Sequence, residues 1–102
     1  MGQTIEISNV DVVGNVAVFT ANRTLGGQDG ETFAGPVETP TTYPGRLANR
    51  LYEMIEGINH VFVLSNTVTV RHPVGWDEQR LQSVNDVITP FFRFYEEAAA
   101  SV

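Results

Sequence analysis

Two valine-rich segments, each turning back on itself across a two-residue loop, constrain this chain more than any other feature. In the first, a strand-like run from Thr4 to Val13 meets a second from Val16 to Ala21, with Gly14-Asn15 between them. Both loop residue types tolerate positive φ, so the pair reads as a hairpin turn. That loop pairs Val13 with Val16, Val12 with Ala17 and Val10 with Phe19. Val10, Val12, Ala17 and Phe19 then share one apolar face, while Asn9, Asp11 and Thr20 fall on the other.

The second hairpin follows the same logic. The run INHVFVL precedes Ser65-Asn66, and TVTVRH follows. Val61, Val63, Val68 and Val70 form one face, and His60, Phe62, Leu64, Thr67, Thr69 and Arg71 form the other. A slip of one residue would mix valines with polar side chains on both faces, so the pattern fixes the register.

The rest of the chain supplies connections and two helices. The stretch NRTLGGQDG reads as a mobile loop, since its glycines match neither a P-loop nor a dinucleotide fingerprint. Thr32 to Ala34 is a candidate short third strand, and GPVETPTTYPG, with its three prolines, reads as a connection. Leu47, Leu51, Met54 and Ile55 recur at helical spacing beside Ala48, with Gly57 as the stop and Ile58 folding back onto Met54. Leu81, Val84, Ile88, Phe91 and Tyr95 mark a second helix, with Asp77 as its N-cap. Pro90 lies inside that pattern and predicts a kink or a break, with Thr89-Pro90 as an alternative start for a fresh helix. Trp76, Phe91, Phe92, Phe94 and Tyr95 read first of all as core, with exposure as the alternative for Phe94, which lies off the main stripe.

A chain of 102 residues is one domain, spanning residues 1–102. Its element order predicts a two-layer α+β fold: a mainly antiparallel four- to five-stranded sheet with two helices on one face. The absence of cysteine excludes disulfides, thiolate chemistry and cysteine-ligated zinc or iron–sulfur clusters within this chain. Six arginines, no lysine and twelve acidic residues give a net charge of −6, which argues against a nucleic-acid partner. No run approaches the roughly 18–20 apolar residues that a membrane span needs. The first residues lack the basic and apolar regions of a secretory signal, so the expected location is cytoplasmic.

Residues 45 to 95 resemble the N-terminal domain of Nfu/NifU-type iron–sulfur scaffold proteins. In RLANRLYEMIEGINHVFVLSNTVTV, the pairs Leu47-Ala48, Leu51-Tyr52, Gly57-Ile58 and Val61-Phe62 and the run Val68-Thr69-Val70 fall at the family's places without a gap. Trp76-Asp77 is similar to the family's Asp-Trp in reversed order, and Phe91-Phe92 to the aromatic end of its last helix. VDVVGN replaces the usual Pro/Asn-rich turn, Asn66-Thr67 stands where an acidic-aromatic pair is usual, and His72 takes the place of a basic residue. Larger members carry a separate Cys-x-x-Cys domain that holds the cluster, and this sequence has no such pair. The resemblance therefore implies an interaction or accessory role tied to iron–sulfur cluster assembly, with a scaffold or client protein as partner and no cofactor of its own.

The candidate sites follow from the hairpin faces. If both helices lie on the valine face, Phe62 and Leu64 form an exposed apolar patch; if residues 22–44 fold over them, they do not. Phe62, Leu64, Arg71, Arg46 and Arg50 are the candidate partner-binding residues. His60 and His72 are weak metal candidates, because the register turns them to opposite faces and a metal needs convergent ligands. They carry the alternative reading, a small-ligand or iron-binding protein using histidine and carboxylates. No nucleophile elbow, HExxH or paired-carboxylate motif stands out, so the chain reads as non-catalytic.

Overall fold

The computed structural model describes residues 5–100, with side chains as far as Phe91. Strands β1 (Ile7–Val13), β2 (Val16–Ala21) and β3 (Glu31–Phe33) precede helix α1 (Tyr43–Met54). Strands β4 (His60–Leu64) and β5 (Thr67–Arg71) then lead to helix α2 (Glu78–Ala100). All neighbours pair antiparallel, in the order β1-β2-β5-β4-β3. The fold is therefore the two-layer α+β arrangement expected from the sequence, with five strands. Thr4 and the side chains of Phe92, Phe94 and Tyr95 lie outside what the structure describes.

Both hairpins adopt the expected registers, Val12 against Ala17 and Val63 against Val68 among them. In the first turn only Gly14 has positive φ (60°), the pattern of a type II′ turn with glycine first. The core lies between the valine face and the helices. Ala17, Phe19, Val61, Val63, Val68 and Val70 are fully buried there with Leu47 and Leu51 of α1 and Val84 and Ile88 of α2. At about 25 cal/mol per Å² of apolar area, this burial is the main stabilising term.

Three expectations are corrected, and one is qualified. Val10 and Val12 lie on the core side but remain 38% and 44% exposed, because β1 is the sheet's edge and α2 runs beside it rather than over it. Tyr43-Pro44-Gly45 is the first turn of α1, not connection. Thr42 caps it by accepting from the Gly45 N–H at 3.1 Å, and Pro44 occupies the early helical position where a missing N–H costs nothing. Met54, the helix's last residue, is exposed, so Ile58 enters the core without it. Finally, α2 continues through Pro90 as one helix, so the break and the fresh start at Thr89-Pro90 do not occur.

The N-terminal segment is tied to that same place. The Thr89 carbonyl, next to the proline, accepts from the Ile5 N–H at 3.2 Å, and Ile5 is fully buried. Asp77 caps α2 as expected, accepting from the Arg80 N–H at 2.8 Å.

Candidate functional site: the open face of the sheet

Because side chains alternate along a strand, burial of the valines on one side turns a second set to the other. The registers align Asp11, Val18, Thr69, Phe62 and Thr32 in one row across all five strands. Val13, Val16, Arg71 and His60 form the adjacent row, and Thr20, Thr67 and Leu64 another. Both helices pack on the opposite face. Val18, Phe62 and Leu64 therefore make an apolar centre, with Arg71 and His60 towards one end.

This centre is half-buried rather than bare. Residues 22–30 are pinned on the second hairpin instead of hanging free: the Leu25 and Gly26 N–H groups both donate to the Ser65 carbonyl, and the Ser65 N–H donates to Gly27. Leu25 is buried in the core. The segment then passes Gly30 across the ring of Phe62. A β-carbon on Gly30 would lie 2.6 Å from Phe62 Cζ and 3.3 Å from Leu64 Cδ1, so only glycine permits this approach, at a φ of 76°. Phe62 and Leu64, against Gly30, are each half-exposed, as are Val18 and Thr69 beside them.

The five candidate binding residues do not share one surface. Phe62, Leu64 and Arg71 belong to the open face, where Arg71 Nε donates to Asn59 Oδ1 at 3.0 Å. Arg46 and Arg50 stand on α1, in the helix layer. Arg50 pairs there with Glu53 at 3.1 Å and lines a groove between the helices with Met54, Ile55 and Asp86. Thr69 lies on this face as expected, and Val18 was missed as a member of it. Its signal was in the sequence: the two hairpins become one surface only when β2 is placed beside β5.

The two histidines are as separate as their register predicts. His60 lies half-buried on the open face. His72 is buried, and both of its ring nitrogens are engaged: Nδ1 accepts from the Val74 N–H at 3.1 Å, and Nε2 lies 3.1 Å from the Glu56 carbonyl. An Nδ1 that accepts requires the proton on Nε2, which then donates to Glu56. His72 therefore has no lone pair left for a metal. Among the described residues, no group of three or more His, Asp or Glu could hold one. Instead His72 belongs to a corner where the Asn15 carbonyl accepts from the His72 N–H at 2.9 Å and from Trp76 Nε1 at 2.8 Å. Trp76 in turn meets Phe19 edge-on, with centroids 6.3 Å apart.

No helix among the described residues is long and apolar enough to cross a membrane. No family model matches the sequence, and no curated protein matches it. The fold does recur in a solved structure, that of protein SAV1430 from Staphylococcus aureus. The two agree with a TM-score of 0.63 at 16% identity, over 80% of this chain and 96% of that one. At that identity the likeness speaks to fold alone.

Proposed function

We propose that this domain is a non-catalytic interaction module that docks a protein partner on the open face of its sheet. The observation that carries the reading is the row Val18–Thr69–Phe62, apolar at both ends, on a face that neither helix packs against. An apolar centre beside an arginine and a histidine has the composition of a protein-binding patch. The resemblance of residues 45 to 95 to the Nfu N-terminal domain supports a scaffold or client of iron–sulfur cluster assembly as the partner. With no cysteine in the chain, ligation of the cluster is left to that partner.

The test is a titration of the isotope-labelled domain with a cysteine-rich cluster scaffold, followed by amide chemical shifts. Shifts concentrated at Val18, Phe62, Leu64, Thr69 and Arg71, and lost in a folded Phe62→Asp variant, are the expected result. Unchanged binding by that folded variant would remove the proposed surface.

A further inference from the structure

The sheet has a second recognition element, its β1 edge. The Asn22 N–H donates to the Glu6 carbonyl, while the Ala21 N–H donates to Asn66 on the other side, so even-numbered residues of β2 face β1. Their partners Asn9, Asp11 and Val13 use their backbone groups inward. Antiparallel alternation then directs the N–H and C=O groups of Val10 and Val12 outward, where no described strand pairs with them. The opposite edge, β3, is only three residues long. On the helix side of β1, Val10 opens into a groove with Leu81, Gln79, Gln82, Asn85 and Glu78 of α2.

We propose that β1 accepts an extended segment of a basic partner as an added antiparallel strand, with arginine or lysine opposite Asp11 and apolar residues opposite Val10 and Val12. The backbone ladder supplies the attraction, and the alternating side chains set the specificity. Apolar residues of the added strand enter the groove beside Val10 and Leu81. The basic residue meets Asp11, whose Oδ2 already accepts from Asn9 at 2.8 Å and so holds the carboxylate in place. Charge selects the partner: Glu6, Asp11 and Glu78 are acidic, and neither β1 nor the groove carries a basic residue.

A second copy of this chain fits poorly. Self-pairing about Asp11 sets two carboxylates directly opposite each other, and self-pairing about Val10 runs into the register shift between Ile7 and Asn9. The net charge of −6 adds to the repulsion.

The probe is an end-capped heptapeptide alternating valine and arginine, titrated into the labelled domain, with the glutamate version as control. The expected result is slowed hydrogen exchange at the Val10 and Val12 amides, little change at Phe62 and Thr69, and binding that weakens with salt. The glutamate peptide should not bind. Asp11→Arg, at an exposed side chain, should weaken binding by about five- to tenfold. Val10→Pro should abolish it, since proline removes an outward N–H that β2 does not use. Absence of shifts at millimolar peptide overturns the proposal. So do shifts confined to the Phe62 face, or protection of Val10 that rises with protein concentration alone, which would mean a second copy. These outcomes involve residues separate from those that test the open face.

Discussion

Gly57 and His72 pack so closely that a β-carbon on the glycine would stand 2.7 Å from the imidazole Nε2. Gly57 follows α1 with φ at 93°, where a side chain is strained in any case. The turn after the helix and the buried histidine are thus one unit, held by the bond from Nε2 to Glu56. Gly57→Ala should lower stability by about 2–4 kcal/mol, from backbone strain together with displacement of the ring. Calorimetric melting measures this, and an unchanged Tm would show that the ring yields freely.

The same geometry fixes the chemistry of His72. With Nδ1 accepting from Val74 and Nε2 donating to Glu56, the neutral ring must carry its proton on Nε2. Long-range nitrogen–proton correlation spectra should show that tautomer for the neutral ring. His72→Leu keeps the volume but orphans the Val74 N–H and the Glu56 carbonyl, and should cost about 2–4 kcal/mol. A spectrum dominated by the Nδ1-protonated form would contradict this arrangement.

Asn49 ties the long connection to α1. Its amide accepts from the Val37 N–H at 2.6 Å and donates to the Val37 carbonyl at 2.7 Å, imitating a strand partner for a residue in no strand. Both bonds are partly shielded from water, so Asn49→Ala should destabilise the domain by about 1–3 kcal/mol. The Val37 amide should also lose its protection from hydrogen exchange. Loss of stability without loss of that protection would place the effect elsewhere.

How much of this was legible follows from what each residue's role depends on. Val61, Val63, Val68 and Val70 announce their face by alternation, because a register slip would cost four buried valines at once. Val10 and Val12 carry the same pattern yet stay half-exposed, since pattern reports a residue's face and not whether a helix reaches it. The start of α1 was hidden because Tyr43-Pro44-Gly45 looks like a turn until Thr42 is seen capping it. At the candidate site, Phe62 and Leu64 were placed on the right face. Val18 was not joined to them, because pairing of β2 with β5 brings together residues some fifty positions apart in sequence. The positions of Gly30 over Phe62 and of Asn49 beside Val37 are tertiary contacts with no local signature.

Tyr52 makes alkaline pH a probe of the α1–β3 contact. Its hydroxyl donates to the Phe33 carbonyl at 2.8 Å. Burial raises its pKa above the ordinary 10, while the positive charge of Arg71 acts in the opposite direction. The folded state therefore holds this proton more tightly than the unfolded chain does. The resulting stability is fully present below about pH 10, the unfolded value, and is lost as pH rises from there through the folded pKa. Tyr52→Phe should cost about 1 kcal/mol at pH 8, for the lost hydrogen bond, and should flatten the fall in stability between pH 9 and pH 11. Arg71→Gln, which removes the opposing charge, should move the Tyr52 titration higher still. Urea unfolding across that range, with ultraviolet absorbance to follow tyrosine ionisation, measures both. A Tyr52→Phe protein that loses stability with pH as steeply as the parent would show that Tyr52 contributes nothing to the alkaline transition.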